Sequence, residues 1–185
     1  MSGLRLDTAD LAARLPGLRA GDRALLSGTI YTARDAAHKR LFELLDAGES
    51  LPFELEGAVI YYAGPTPGQQ GMAVGACGPT TAGRMDAYAP RLLDMGLVAM
   101  IGKGNRDKAV VDAMIRNRAV YFAAVGGAGA LMAASIRSAQ VVAFPELGCE
   151  SVKRMEIMDM PLTVAIDAAG GSLYEQGPAK YRKKA

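Results

Sequence analysis

The sequence predicts a single α/β domain, and three observations carry that prediction. Apolar, β-branched runs alternate with segments of helical period through the middle of the chain. Half of the 185 residues are apolar and 22% are charged, the balance of a globular chain with a substantial core. No linker, internal repeat or low-complexity tract divides a length that suits one domain.

In order, residues 1–20 read as a short polar lead-in with a turn at Pro16-Gly17. Residues 24–32 (ALLSGTIYT) are apolar and β-branched, a buried strand. From 34 to 48 the period changes. Ala37, Leu41, Leu44 and Leu45 recur on one face of a helix, and Gly48 is placed to cap it. Residues 57–63 (GAVIYYA) form a strand broken by Gly64-Pro65, and 72–77 form another apolar strand. A helix follows to about Met95, then a short strand at 97–101 and a helix at 106–118 with Val110, Ala113, Met114 and Asn117 on one face. A strand at 121–125 leads to a small-residue helix at 126–136, and strands return at 140–144, 154–158 and 162–166. With β-richer ends, the helices should cover more than one sheet.

Composition excludes several function classes. Net charge is +2, from 21 Lys and Arg against 19 Asp and Glu, with 6% aromatics and no Trp. Such a chain offers neither an electrostatic footprint nor stacking platforms for nucleic acid. The basic end, Lys180-Tyr181-Arg182-Lys183-Lys184, is the one local excess and reads as a solvated terminus. No apolar run approaches the ~18–20 residues of a membrane span, and the first residues, Met1-Ser2-Gly3-Leu4, lack the apolar core of a secretory signal. Cys77 and Cys149 lie 72 positions apart, outside any CxxC spacing, although one disulfide between them stays open. A cytoplasmic protein with reduced thiols is expected.

Chemistry concentrates in three loops that follow strands. They carry Arg34, Asp35 and His38; Thr80, Thr81 and Arg84; and Lys103 and Asn105. Ligands of α/β sheets gather at the carboxyl ends of strands. Two Arg and one Lys converging there suit a small dianion, because guanidinium forks match carboxylates bidentately. The neighbouring Gly78, Gly83, Gly102 and Gly104 let backbone N–H groups approach the same anion. The plainer reading is a set of solvated side chains and a helix cap. His38, inside a helix beside Lys39 and Arg40, is more simply a surface or hydrogen-bonded structural residue than a ligand. Val125-Gly126-Gly127-Ala128-Gly129 has Met132 where a dinucleotide fingerprint needs glycine, so close helix–sheet packing explains it better. An iron–sulfur cluster usually takes at least three protein thiolates. Two cysteines without ligand spacing cannot hold one alone.

Together these loops resemble the β region of iron–sulfur hydro-lyases of the tartrate/fumarate type. The match lies in the run from Leu26 through Thr32-Ala33-Arg34-Asp35 to Leu41, in Tyr62-Ala63-Gly64-Pro65, in Gly78-Pro79-Thr80-Thr81-Ala82-Gly83-Arg84-Met85-Asp86, and in Gly102-Lys103-Gly104-Asn105. Four motifs in order cover about 21–166, with extensions at both ends of a single domain, 1–185. The resemblance implies the swivelling β/β/α fold and the β subunit, or C-terminal-type domain, of a class I fumarate hydratase. It implies a [4Fe-4S] cluster bound by a partner α subunit and no metal on this chain. The two chains would form a hetero-oligomer, with α2β2 as one candidate stoichiometry.

The implied reaction is reversible hydration of fumarate to (S)-malate. By the family motifs, Arg34, Arg84 and Lys103 would grip the dicarboxylate substrate, Thr80 would be the base and Thr81 would support it. A threonine hydroxyl is intrinsically a poor base, so Thr80 would need an activating Asp from the α subunit. Gly83, Asp86 and Asn105 look more like fumarase members than tartrate dehydratases. The alternatives are the β subunit of L(+)-tartrate dehydratase and a non-catalytic anion-binding or assembly domain.

Overall fold

The computed structural model describes residues 3–182. One mixed seven-stranded sheet organises them, in the order β1-β2-β3-β4-β5-β7-β6. The strands are β1 (Leu4–Asp7), β2 (Arg23–Thr32), β3 (Val59–Tyr61), β4 (Ala99–Gly102), β5 (Val120–Ala123), β6 (Ile136–Ala143) and β7 (Val152–Ile166). Strands β2 to β5 pair in parallel. Strand β7 runs antiparallel to both β2 and β5. The pairings β2–β3–β4–β5–β7–β2 therefore close on themselves. Since β2 to β5 share one direction, their carboxyl ends emerge on one side, which sets where a ligand can meet all four loops.

Alternate side chains fill two cores. Val59, Tyr61, Ala99, Ile101, Val120 and Phe122 belong to one buried cluster, with Leu26, Ile30 and Met160. Ile60, Met100 and Tyr121 belong to the other. There they join residues of α2 (Asp35–Asp46), α3 (Ala89–Asp94) and α4 (Lys108–Asn117). Burial on both faces explains why these strands read as unbroken apolar runs. In α2, Ala37 and Leu41 turn inward as the periodicity predicts.

Several expectations change. The opening residues are no polar lead-in: β1 pairs with β2, and a short helix α1 (Leu11–Arg14) follows. Leu6, Leu11, Leu15 and Leu18 are buried, so widely spaced leucines carry a core face that composition hides. The expected strand at 72–77 is irregular. Met72 is 55% exposed, and the segment folds against Thr66 through Gly75 N to Thr66 O (2.8 Å) and Thr66 N to Ala76 O (3.0 Å). The strands expected at 154–158 and 162–166 are one strand, β7. Pro161 suggests a break, but Asp159 adopts φ 50° and the register with β2 shifts between Leu26 and Gly28. A bulge there carries the strand past the proline.

In place of more than one sheet, the long β7 joins β6, β5 and β2 into one. The helix expected at 126–136 is the shorter α5 (Gly129–Ala134). A Cβ on Gly129 would lie 3.2 Å from Gly78 N and 3.5 Å from Cys77 N, so close packing does account for this glycine. A last helix, α6 (Leu173–Tyr181), ends the described chain. Lys180, Tyr181 and Arg182 of the basic end are exposed; Lys183 and Lys184 lie outside the described residues. Both cysteines are free, Cys77 buried and Cys149 exposed. No helix among the described residues is long and apolar enough to cross a membrane.

Candidate anion site at the carboxyl ends of the parallel strands

Arg34, Thr80, Thr81, Arg84 and Lys103 come from three loops, and the fold brings those loops to one end of the ring. Arg34 follows β2 and immediately precedes α2. Its side chain lies across Gly64, after β3. A Cβ at that glycine would sit 3.1 Å from Arg34 Nη1 and 3.2 Å from Cys149 O. A side chain here would press on the arginine and on Cys149 O, which gives the glycine of the Gly64-Pro65 motif a physical reason.

Thr80-Thr81 is wedged between the ends of β3 and β4. Thr80 N donates to Tyr62 O at 2.6 Å, Lys103 N donates to Thr80 O at 3.2 Å, and Ala82 N donates to Lys103 O at 2.8 Å. These ladder-like bonds fix the threonine backbone while the side chain of Thr81 and that of Lys103 stay exposed. The aliphatic stem of Lys103 extends over Gly126, whose Cβ would lie 3.5 Å from Lys103 Cδ. Arg84 leaves the 3-10 turn Ala82–Met85 with its side chain 52% exposed.

The two arginines meet two acids. Asp35 Oδ1 lies 2.7 Å from Arg84 Nε, and Asp35 Oδ2 lies 3.7 Å from Arg34 Nη2. Glu150 Oε1 lies 3.4 Å from Arg34 Nη2, and its Oε2 accepts from Ala36 N at 3.1 Å in the first turn of α2. Lys103 has no ion pair among the described residues, so the cluster keeps one uncompensated cation. Arg34 Nε is buried without a hydrogen-bond partner. An unsatisfied guanidinium atom beside exposed cations suits an incoming carboxylate. The cavities of about 290 Å³ beside Leu25, Val125 and Pro161 and of about 260 Å³ beside Pro65, Cys149 and Lys153 include none of the five residues.

Beneath the loops sits a buried ion pair that no local pattern in the sequence announces. Arg106 Nε donates to Asp86 Oδ1 at 2.6 Å, and Asp107 N donates to Asp86 Oδ2 at 2.7 Å. Arg106 also reaches Met100 Sδ (3.2 Å) and Tyr62 Oη (3.4 Å) and lies over the rings of Tyr62 and Tyr121. The pair ties the loop bearing Arg84 to the loop bearing Lys103, and Tyr121 Oη holds Gly104 O at 3.0 Å.

His38 is buried and hydrogen-bonded, the second of the two structural places expected for it. Its Nδ1 donates to Arg34 O at 2.8 Å, while Nε2 is buried and unpartnered among Tyr62 and Tyr88. Burial lowers its pKa to about 4. The folded state therefore takes up the proton later than the unfolded state as pH falls. Stability from the neutral ring is full above the ordinary value of 6.5 and is lost as pH drops toward 4. Relative to a His38→Gln variant, the wild type should lose about 2 kcal/mol between pH 7.5 and pH 5, measured by urea unfolding. An unchanged difference would mean that the ring titrates in the folded state as it does in water.

Cys77, whose thiol burial pushes up to about 12, is no thiolate donor near neutrality. With Cys149 exposed and far along the chain, the donor set here does not fit a cysteine-ligated cluster.

Comparisons with known proteins identify the family. The model of the Fumarase C-terminus family matches residues 1–177. The chain is 41% identical over 158 residues to "Fumarate hydratase 2" of Leishmania major, covering 84% of this chain and 28% of that protein. It is 40% identical over 169 residues to "Fumarate hydratase class I, aerobic" of Escherichia coli (strain K12), covering 90% of this chain and 31% of that one. It thus spans less than a third of the length of these two relatives. "Putative L(+)-tartrate dehydratase subunit beta" of Methanocaldococcus jannaschii is 38% identical over 173 residues, covering 90% of this chain and 89% of that protein. With its four loop motifs converging at one end of the ring, the chain belongs to the Fumarase C-terminus family.

Proposed function

We propose that this chain is the β-type portion of a two-part hydro-lyase that interconverts fumarate and (S)-malate. The observation that carries the reading is the convergence of the loops bearing Arg34, Arg84 and Lys103 with Thr80-Thr81 at the ends of parallel strands. Two guanidinium groups and one ammonium can hold both ends of a four-carbon dicarboxylate. They also stabilise the charge that builds on a carboxylate as the adjacent C–H proton leaves. Thr80 is the base and Thr81 supports it. The hydroxyl of Thr80 has no hydrogen-bond partner among the described residues, so an activating carboxylate comes from the companion. The open cluster is closed by that companion, which also carries the [4Fe-4S] cluster. We assign the complex to the cytoplasm.

A second reading is the tartrate dehydratase β subunit, since the chain is 38% identical over 90% of its residues to the Methanocaldococcus protein of that name. Both substrates are four-carbon dicarboxylates, so the cations alone do not separate them. The loop residues Gly83, Asp86 and Asn105 favour fumarate.

Three experiments test the proposal. The full chain treated alone with iron and sulfide should show no stoichiometric cluster absorbance, and Cys77→Ala or Cys149→Ala should leave the cluster of the assembled enzyme intact. Iron loss in a folded cysteine variant would place a ligand on this chain. Arg84→Lys keeps the charge but loses the planar two-point grip. In the assembled enzyme it should lower kcat/KM about 10- to 100-fold, the worth of one charged hydrogen bond. Near-normal kinetics would remove Arg84 from substrate binding.

A further inference from the structure

We infer that Asp35 is a positioning residue, a carboxylate that holds Arg84 against Arg34 so that both guanidinium groups face the same substrate carboxylates. The inference rests on the proposed hydro-lyase reading and adds a residue that reading does not use. Asp35 stands between the two arginines, 2.7 Å from Arg84 Nε and 3.7 Å from Arg34 Nη2. Its Oδ2 is buried and accepts no hydrogen bond. A carboxylate left partly unsatisfied in this way is kept by the two cations on either side.

The contact to Arg84 is made at Nε, which leaves the terminal Nη1/Nη2 edge of that guanidinium for a ligand. Without the acid, two like charges on neighbouring loops repel and Arg84, already half exposed, swings toward water. Glu150 lies 3.4 Å from the same Arg34 Nη2, so Arg34 keeps a partner when Asp35 is removed. Asp35 is also the first residue of α2, where its charge suits the helix terminus. That second role demands a test separating positioning from folding.

Removing Asp35 has two opposed effects on substrate. The extra net positive charge favours the bound dianion, while the freed arginine costs orientation, which matters most as charge develops in the transition state. In the assembled enzyme Asp35→Ala should therefore lower kcat about 10- to 100-fold while KM stays within about threefold of wild type. Asp35→Asn, which keeps the shape and removes the charge, should move the same way by less, and it serves if the alanine variant folds poorly. Lower thermal stability with unchanged kcat per folded molecule would reduce Asp35 to a helix cap. A fall in KM with kcat unchanged would make it a place-holder that substrate displaces. Either result overturns the inference.

Calorimetric titration of the assembled complex with succinate, an unreactive four-carbon dicarboxylate, separates this inference from the reading beneath it. If wild-type complex turns over neither fumarate nor tartrate, the hydro-lyase reading fails alone. Positioning then still requires Asp35→Ala to bind succinate within about threefold of wild type. Binding by the variant tighter by more than about threefold, or no binding by the wild-type complex, contradicts it.

Discussion

Replacing Thr80 by valine should lower turnover of the assembled enzyme about 10²- to 10⁴-fold, the usual cost of a lost general base, with KM nearly unchanged. Valine keeps the branched shape, and the backbone bonds from Thr80 N to Tyr62 O and from Lys103 N to Thr80 O do not involve the side chain. The loop should therefore stay in place, and circular dichroism should be that of wild type. Thr81→Val offers the contrast. Thr81 is exposed, and in the proposed reading it only supports the base, so the loss should be smaller. A Thr80→Val enzyme with near-normal turnover would leave threonine with a purely structural place between β3 and β4.

The largest expected effect on stability lies under the site. The Asp86 side chain is 6% exposed and that of Arg106 is fully buried. Asp86→Ala leaves the guanidinium uncompensated and frees Asp107 N, so it should cost about 3–5 kcal/mol in chemical unfolding. Adding Arg106→Met to Asp86→Ala removes the stranded charge and puts an apolar chain between Tyr62 and Tyr121. The double variant should then be more stable than Asp86→Ala alone, since buried pairs replaced by apolar residues are often near neutral. A single variant losing less than about 1 kcal/mol would mean that water reaches the pair.

Much of this was legible in the sequence because local pattern and tertiary role coincide. The apolar strands from β2 to β5 and the period of α2 and α4 give the parallel part of the ring and its helices, and Arg34 and Lys103 stand just past strand ends, while Arg84 sits in a 3-10 turn after an irregular segment. What was not legible depends on distant partners. Glu150 meets Ala36 across 114 positions, and Arg106 finds Asp86 across 20. Asp35 sits next to Arg34, yet its contact to Arg84 exists only once two loops have converged. The opening residues were misread because their leucines are separated by polar positions, and β7 because a bulge lets a strand continue past proline.

The central claim, that this chain completes a fumarate-hydrating site only together with a companion, is tested most directly by fumarate hydration after anaerobic co-expression with the companion chain. The complex should form malate from fumarate faster than it dehydrates tartrate, and each chain alone should be inactive. Activity of this chain alone, or a purified, cluster-loaded complex that acts on neither substrate, would contradict the account.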